Sequence, residues 1–181
     1  MKNIKLYIPN ILSTLRLILA FIFPFAFFQK YFYLTIILFI IGSISDLLDG
    51  YLARRWNVES KYGIKMDHIS DKFFVGMALL SLAIVDNILI FLLFVFEILI
   101  SGIGIMAYMK SDNFYIVLVG KLKTFFLFIT IIVGIFVSID PNMEIPFWIL
   151  MGVSAFFQVL TIINYFKLSF SKKDIKKHYK I

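Results

Sequence analysis

Residues 46–71 read DLLDGYLARRWNVESKYGIKMDHISD, and they join two strongly apolar stretches of the chain. Asp46 and Asp49 are three residues apart, so their side chains share one face of a helix. Asp67 and Asp71 are four residues apart and share a face of the next helix in the same way. Carboxylates beside apolar segments are costly and usually functional. The stretch therefore predicts two antiparallel membrane helices whose four carboxylates converge.

The composition of the whole chain agrees with a membrane location. Of its 181 residues, 61% are hydrophobic, and the mean hydropathy is +0.95. Soluble domains are about 45–50% apolar, and a helix needs about 20 apolar residues to cross a bilayer. We predict one all-α integral membrane domain over residues 1–181, a bundle of six transmembrane helices. The expected spans are 11–28, 31–54, 66–85, 88–109, 115–139 and 145–168.

The two ends of the chain are more polar than the spans. Residues 2–10 are predicted to form a short interfacial segment before the first helix. The basic tail, about residues 169–181, either meets anionic headgroups, at about 1 kcal/mol per lysine, or is simply solvated. The sequence has no cysteine, which excludes disulfides and thiolate metal sites.

Charge asymmetry predicts how the helices are oriented. If both termini face the cytoplasm, Lys30 is the only one of the 18 Lys and Arg residues that falls on the other side. This distribution follows the positive-inside rule. We therefore predict a multi-pass membrane protein with the aspartates at its cytoplasmic face. The net charge of +7 then needs no nucleic-acid partner.

Four carboxylates in one site repel each other unless cations compensate them. An all-oxygen ligand set favours Mg²⁺ or Mn²⁺, and two such ions can bridge a diphosphate and stabilise its leaving group. Gly50 would leave room for a nucleotide, Gly63 would let the connecting loop turn, and Arg54 can pair with a phosphate. The alternatives are a structural charge network between two helices and a transporter of a charged solute.

The full spacing is Asp46-x2-Asp49-Gly50-x2-Ala53-Arg54-x8-Gly63-x3-Asp67-x3-Asp71. It resembles the signature of the CDP-alcohol phosphotransferases, membrane enzymes that join an alcohol to a phospholipid precursor and release CMP. Within that family the chain is most similar to the bacterial phosphatidylglycerophosphate synthases, which implies a location in the cell membrane, the bacterial inner membrane. The similarity extends to PNILSTLR at 9–16, DLLDGYLARRW at 46–56 and GKLKT at 120–124.

The resemblance implies roles for the motif residues. Asp46, Asp49 and Asp67 would ligate metal, and Asp71 would be both a ligand and the general base on the attacking hydroxyl. Two ions, Mg²⁺ or Mn²⁺, are implied, together with CDP-diacylglycerol, CMP and an alcohol acceptor as partners in a homodimer surrounded by membrane lipids. The residues implied to bind the CDP group are Asn10, Gly50, Ala53, Arg54 and Gly63.

The acceptor is less well defined, because the fourth span departs from the resembled synthases. Phe96 and Gly104 stand where those enzymes carry arginines suited to the phosphate of glycerol 3-phosphate. Glycerol 3-phosphate remains the first expectation. The alternatives are phosphatidylglycerol, as in a cardiolipin-synthase-like enzyme, a neutral head-group alcohol, and a non-catalytic metal-binding scaffold or transporter. The candidate acceptor-binding residues are Arg16, Glu97, Lys121 and Lys123.

Weaker polar signals lie elsewhere in the spans. His68 follows the third aspartate, where proline is usual in the resembled family, and it either tunes the metal cluster or is a tolerated surface residue. Two stripes recur at helical spacing and either face a cavity or pack helices together. They comprise Glu97, Ser101, Gly104 and Tyr108 on the fourth span, and Gln158, Thr161 and Tyr165 on the last.

Overall fold

The structure, a computed structural model, describes residues 2–56, 61–111 and 118–170, and all of its regular elements there are helical. This confirms the predicted all-α class. Short 3₁₀ turns precede the fourth and sixth helices, at Ile88–Ile90 and Pro141–Met143. The α-helices of these described ranges number six: α1 (Lys2–Phe28), α2 (Phe32–Trp56), α3 (Lys61–Val85), α4 (Phe91–Ser111), α5 (Leu118–Val137) and α6 (Glu144–Phe170).

Five of these helices carry an apolar stretch long enough to cross a membrane: Ile8–Phe28, Phe32–Ala53, Met66–Val85, Val119–Val137 and Pro141–Phe166. The fourth helix contributes a shorter apolar stretch, Ile88–Gly104. Large apolar side chains such as Phe25, Ile145 and Ile149 are exposed on the outside of the bundle, which would be unfavourable in water. The chain is therefore a multi-pass membrane protein, and a sixth crossing stays a prediction.

Two helices begin earlier than the sequence indicated. The backbone of α1 is helical from Lys2, so the expected interfacial segment is continuous with the first span instead of forming a separate element. The prediction that Gly63 lies in the turn between the two motif helices is wrong, because α3 already begins at Lys61. The physical reason is that a continued helix satisfies the hydrogen bonds of backbone groups near the membrane. This gain outweighs the cost of one glycine in a helix, about 1 kcal/mol relative to alanine.

The order of packing places α1 at the centre of the first half of the bundle. It packs against both α2 and α3, which touch each other only slightly, and α6 packs in the same way against α4 and α5. Contacts of α3 with α4 and of α2 with α5 join the two halves. Side chains from α2 and α3 that converge must therefore meet beside α1.

Buried aromatic rings fill the space between the first three helices. Phe39 of α2 stacks on Phe74 of α3, with ring centroids 5.4 Å apart, and Phe23 of α1 meets both rings edge-on. Gly42 makes this approach possible, because a Cβ atom at that position would overlap the Phe74 ring. Gly42 is one helical turn before Asp46, so the aromatic layer supports the polar site directly.

Candidate active site

Three carboxylates from two helices meet at one point. Asp46 and Asp49 are one turn apart on α2, and Asp67 is near the start of α3. Each offers an oxygen atom, and these oxygens lie within 4.8 Å of one another. Asp49 is buried, whereas Asp46 and Asp67 are partly exposed. The group can hold a metal ion, as the spacing predicted, and we call it the aspartate cluster.

Arg16 of α1 lies among these carboxylates and is completely buried. Its Nη1 atom is 2.9 Å from oxygens of both Asp46 and Asp67, and its Nη2 atom is 2.5 Å from Asp49 Oδ2. Ser13, one turn earlier on α1, donates a hydrogen bond of 3.2 Å to the same Asp49 oxygen. The structure therefore places Arg16 within the aspartate cluster, whereas the sequence suggested it as an acceptor ligand.

The aspartate cluster keeps an excess of negative charge. One guanidinium faces three carboxylates, and Asp49 Oδ1 is buried without a hydrogen-bond partner among the described residues. A buried carboxylate oxygen without a partner is costly. Hard divalent cations prefer oxygen ligands of this kind. The residues present therefore fit a divalent metal ion, which Asp46, Asp49 and Asp67 would hold.

A second buried cluster surrounds Glu97 of α4. One carboxylate oxygen of Glu97 accepts hydrogen bonds from Lys123 Nζ at 2.6 Å and from Gln158 Nε2 at 3.0 Å. The other oxygen accepts from Lys72 Nζ at 3.0 Å. Gln158 also donates to the carbonyl oxygen of Leu93, at 3.3 Å. This Glu97 cluster joins α3, α4, α5 and α6, and it contains two ammonium groups for one carboxylate.

The two clusters meet at Asp71. This partly buried residue lies one turn beyond Asp67 on α3 and is absent from the compact aspartate cluster. Its Oδ2 atom is 3.7 Å from Lys72 Nζ, which also belongs to the Glu97 cluster. The fourth motif aspartate is thus set apart from the other three, between an acidic and a basic group. A metal-ligand role for Asp71 stays a prediction.

The remaining predicted site residues have varied surroundings. Gly50 and Ala53 lie on α2, Asn10 lies on α1, and all three are half-buried. Lys121 is exposed, unlike Lys123 two residues later. The side chains of Arg54 and Tyr108 lie outside the described residues. Gly63 is half-buried in the first turn of α3, and His68 is exposed next to Asp67.

Sequence reasoning missed Lys72 and did not connect Gln158 with Glu97. Lys72 follows Asp71 directly, and its position inside an apolar span was a usable signal, since ionisable residues in spans are normally paired or functional. Pairing between Gln158 and Glu97 joins residues 61 positions apart, and no local spacing indicates it. Glu97 pairs with Lys72 and Lys123 inside the bundle, and its role as an acceptor-binding residue stays a prediction.

Comparison with known proteins shows the family to which the chain belongs. The CDP-alcohol phosphatidyltransferase family matches residues 6–163, most of the chain. A CDP-diacylglycerol–glycerol-3-phosphate 3-phosphatidyltransferase of Rickettsia felis is 30% identical, over 88% of this chain and 93% of its own. Proteins with the same name from Rickettsia typhi and Mycoplasma genitalium are 33% and 35% identical, over 72% and 71% of this chain and 77% and 55% of theirs.

The chain belongs to the CDP-alcohol phosphatidyltransferase family. It is therefore a transferase of phospholipid biosynthesis that uses CDP-diacylglycerol, and the enzyme interpretation replaces the scaffold and the transporter. The resemblance seen in the sequence is confirmed at this level.

Proposed function

We propose that the protein transfers the phosphatidyl group of CDP-diacylglycerol to glycerol 3-phosphate and releases CMP. The observation that carries this proposal is the pairing of two oppositely charged buried clusters on either side of Asp71. One cluster suits the metal-bound diphosphate of the donor, and the other suits an anionic acceptor. The names of the similar proteins support the same reaction.

The charges of the described side chains support two metal ions in the working site. Five carboxylates, those of the four motif aspartates and Glu97, accompany three cations, Arg16, Lys72 and Lys123. One divalent cation would balance the difference of two charges, and a second would balance a bound diphosphate. When bound, Mg²⁺ or Mn²⁺ supplies charge stabilisation to the phosphoryl oxygens and the leaving group.

The chemical step is a substitution at the phosphorus that bears diacylglycerol. The acceptor hydroxyl oxygen forms a bond to this phosphorus while the bond to the bridging oxygen breaks, and the electron pair leaves with CMP. Asp71 takes the hydroxyl proton onto its carboxylate. A base in this role contributes typically about 10²–10⁴-fold. Gly50, Ala53, Arg54, Gly63 and Asn10 are proposed to contact the CDP group.

The Glu97 cluster favours an anionic acceptor over a neutral one. Lys123 is buried and shares the Glu97 carboxylate with Lys72, so positive charge exceeds negative charge around Glu97 itself, with Asp71 farther off, 3.7 Å from Lys72 Nζ. These two lysines can supply the positive charge that Phe96 and Gly104, at the positions of the arginines in the resembled synthases, cannot. Phosphatidylglycerol, which also carries a phosphate, is the second candidate acceptor, and Lys121 and Arg16 remain weaker candidates for contacting either one.

The proposed setting is a bundle of six membrane-crossing helices that works as a homodimer in the bacterial inner membrane. The active site and both termini would face the cytoplasm. The near absence of basic residues on the other side, where only Lys30 falls, supports this orientation.

The direct test uses purified protein in mixed micelles with labelled CDP-diacylglycerol and Mg²⁺ or Mn²⁺. Glycerol 3-phosphate, phosphatidylglycerol and glycerol are supplied in separate reactions, and CMP release is measured. Metal-dependent release with glycerol 3-phosphate, together with labelled phosphatidylglycerophosphate, is expected. CMP release with phosphatidylglycerol but not with glycerol 3-phosphate would replace the proposed acceptor. If folded protein releases CMP with none of the acceptors, the proposed activity is refuted.

A further inference from the structure

Tyr165 of α6 occupies a space that two glycines leave open. A Cβ atom at Gly104 of α4 would lie 3.8 Å from its ring, and a Cβ atom at Gly120 of α5 would lie 3.7 Å from its hydroxyl. Helices α4 and α5 thus present bare backbone to one aromatic side chain. A larger residue at position 104 would compete with the Tyr165 ring for this space.

The hydroxyl of Tyr165 lies in the field of the Glu97 cluster. A Cβ atom at Gly120 would be 3.7 Å from this hydroxyl, and Lys123 follows Gly120 by one turn of α5. Toward the residues that the structure describes, the hydroxyl makes no hydrogen bond, whereas Gln158, two turns earlier on α6, donates from its amide nitrogen to Glu97 and to the Leu93 carbonyl oxygen. A tyrosine hydroxyl can both donate and accept, so it can bind an added phosphate.

We infer that Tyr165 is a specificity-determining residue for the acceptor, and that its hydroxyl completes a pocket with Lys72 and Lys123 for a small phosphate-bearing alcohol. The inference rests on the proposed function. Gly104, where the resembled synthases carry arginine, makes room for the ring. Tyr165 therefore supplies a neutral hydrogen-bond donor from α6 in place of a cation from α4.

The test is Tyr165→Phe, which removes the hydroxyl and keeps the ring that packs on Gly104. Its matched control is Tyr33→Phe, because Tyr33 is 70% exposed and lies near the opposite end of α2 from the aspartates. With glycerol 3-phosphate as acceptor, we expect the acceptor KM of Tyr165→Phe to rise about ten-fold or more, as for the loss of a hydrogen bond to a charged group. The KM for CDP-diacylglycerol should stay within about two-fold of wild type.

A second pair of variants tests the space itself. Gly104→Ala places a Cβ atom at ordinary contact distance from the ring, so its acceptor KM should resemble that of wild type. Gly104→Leu must displace the ring and should raise the acceptor KM as Tyr165→Phe does. Equal acceptor KM values for wild type, Tyr165→Phe and Gly104→Leu would overturn the inference. So would a parallel change in both KM values, which indicates a structural role.

The two levels of failure are distinguishable. If wild-type protein releases no CMP with glycerol 3-phosphate or phosphatidylglycerol, the proposed function fails. If wild type is active but Tyr165→Phe and Tyr33→Phe behave alike with the acceptor that supports turnover, only the role of Tyr165 fails. If phosphatidylglycerol is that acceptor and its KM rises in Tyr165→Phe, the phosphate pocket stands but the small-acceptor assignment is overturned.

Discussion

The aspartate cluster and the Glu97 cluster use similar parts in opposite proportions. In the first, a single guanidinium serves three carboxylates. In the second, the Glu97 carboxylate serves two ammonium groups, one of which, that of Lys72, also faces Asp71 at 3.7 Å. Buried charges are normally paired, because unpaired ones are costly. Taken without Asp71, which lies between them, the first cluster lacks positive charge and the second lacks negative charge. This contrast indicates where a metal-bound donor and an anionic acceptor would be stable.

The strongest test of this contrast removes a negative charge from the aspartate cluster. Asp49→Asn should lower turnover about 10³-fold or more, because losing a ligand costs several kcal/mol of charge stabilisation and each 1.36 kcal/mol is tenfold. The measurement is CMP release from membranes containing equal amounts of inserted protein. Asp86→Asn is the control, since Asp86 lies beyond the far end of α3 and its carboxylate bonds only Ser138 among the described residues. Near-normal turnover of Asp49→Asn would contradict a metal site at the aspartate cluster.

The next test removes the cation from the same cluster. Arg16→Met should destabilise the metal-free protein by about 3–5 kcal/mol, because three carboxylates lose their buried partner. Added Mg²⁺ should raise the unfolding temperature more in this variant than in wild type, since the ion replaces the lost charge. Thermal unfolding in detergent with and without Mg²⁺ measures both effects, and Arg16→Lys tests whether charge alone suffices. An equal Mg²⁺ effect in all three proteins would separate Arg16 from the metal site.

The Glu97 cluster is tested by comparing two lysines of α5. Lys123→Met should raise the KM for glycerol 3-phosphate about ten- to hundred-fold, through loss of a charge-assisted hydrogen bond to the acceptor phosphate. Lys121→Met should raise it less, because Lys121 is exposed and Lys123 is buried against Glu97. Steady-state kinetics at saturating CDP-diacylglycerol gives the comparison. A larger effect at Lys121 would move the acceptor site away from the Glu97 cluster.

The smallest expected effect is on stability, through the aromatic layer next to the aspartate cluster. Gly42→Ala should cost about 1–3 kcal/mol of stability, because the added methyl group overlaps the buried Phe74 ring. Gly152→Ala is its control: no atom lies near its added methyl group within the described part of the chain, so helix propensity should stabilise it by up to about 1 kcal/mol. Thermal unfolding of the two variants should shift in opposite directions. Equal shifts would mean that the α2–α3 contact is not tightly packed.

The sequence predicted which residues form the aspartate cluster better than it predicted their arrangement. The i, i+3 spacing of Asp46 and Asp49 placed them on one face, and helical structure confirms it. The position of Arg16 in the aspartate cluster depends on the packing of α1 against both α2 and α3, which local sequence spacing does not indicate. Lys72 escaped notice for a similar reason, since its partner Glu97 comes from another helix. Helix starts were misplaced where polar residues continue a helix beyond its apolar span.

Arg16 also has a consequence for how the chain enters the membrane during synthesis. The first helix reaches the insertion machinery with this arginine, while the aspartates that neutralise it lie 30 or more residues later in the sequence. An arginine costs a lone membrane helix up to about 2.5–3.5 kcal/mol, the value for the helix centre. The first helix therefore becomes more stable in lipid once the second and third have joined it. We expect the first three helices to leave the insertion machinery together, as one nascent unit.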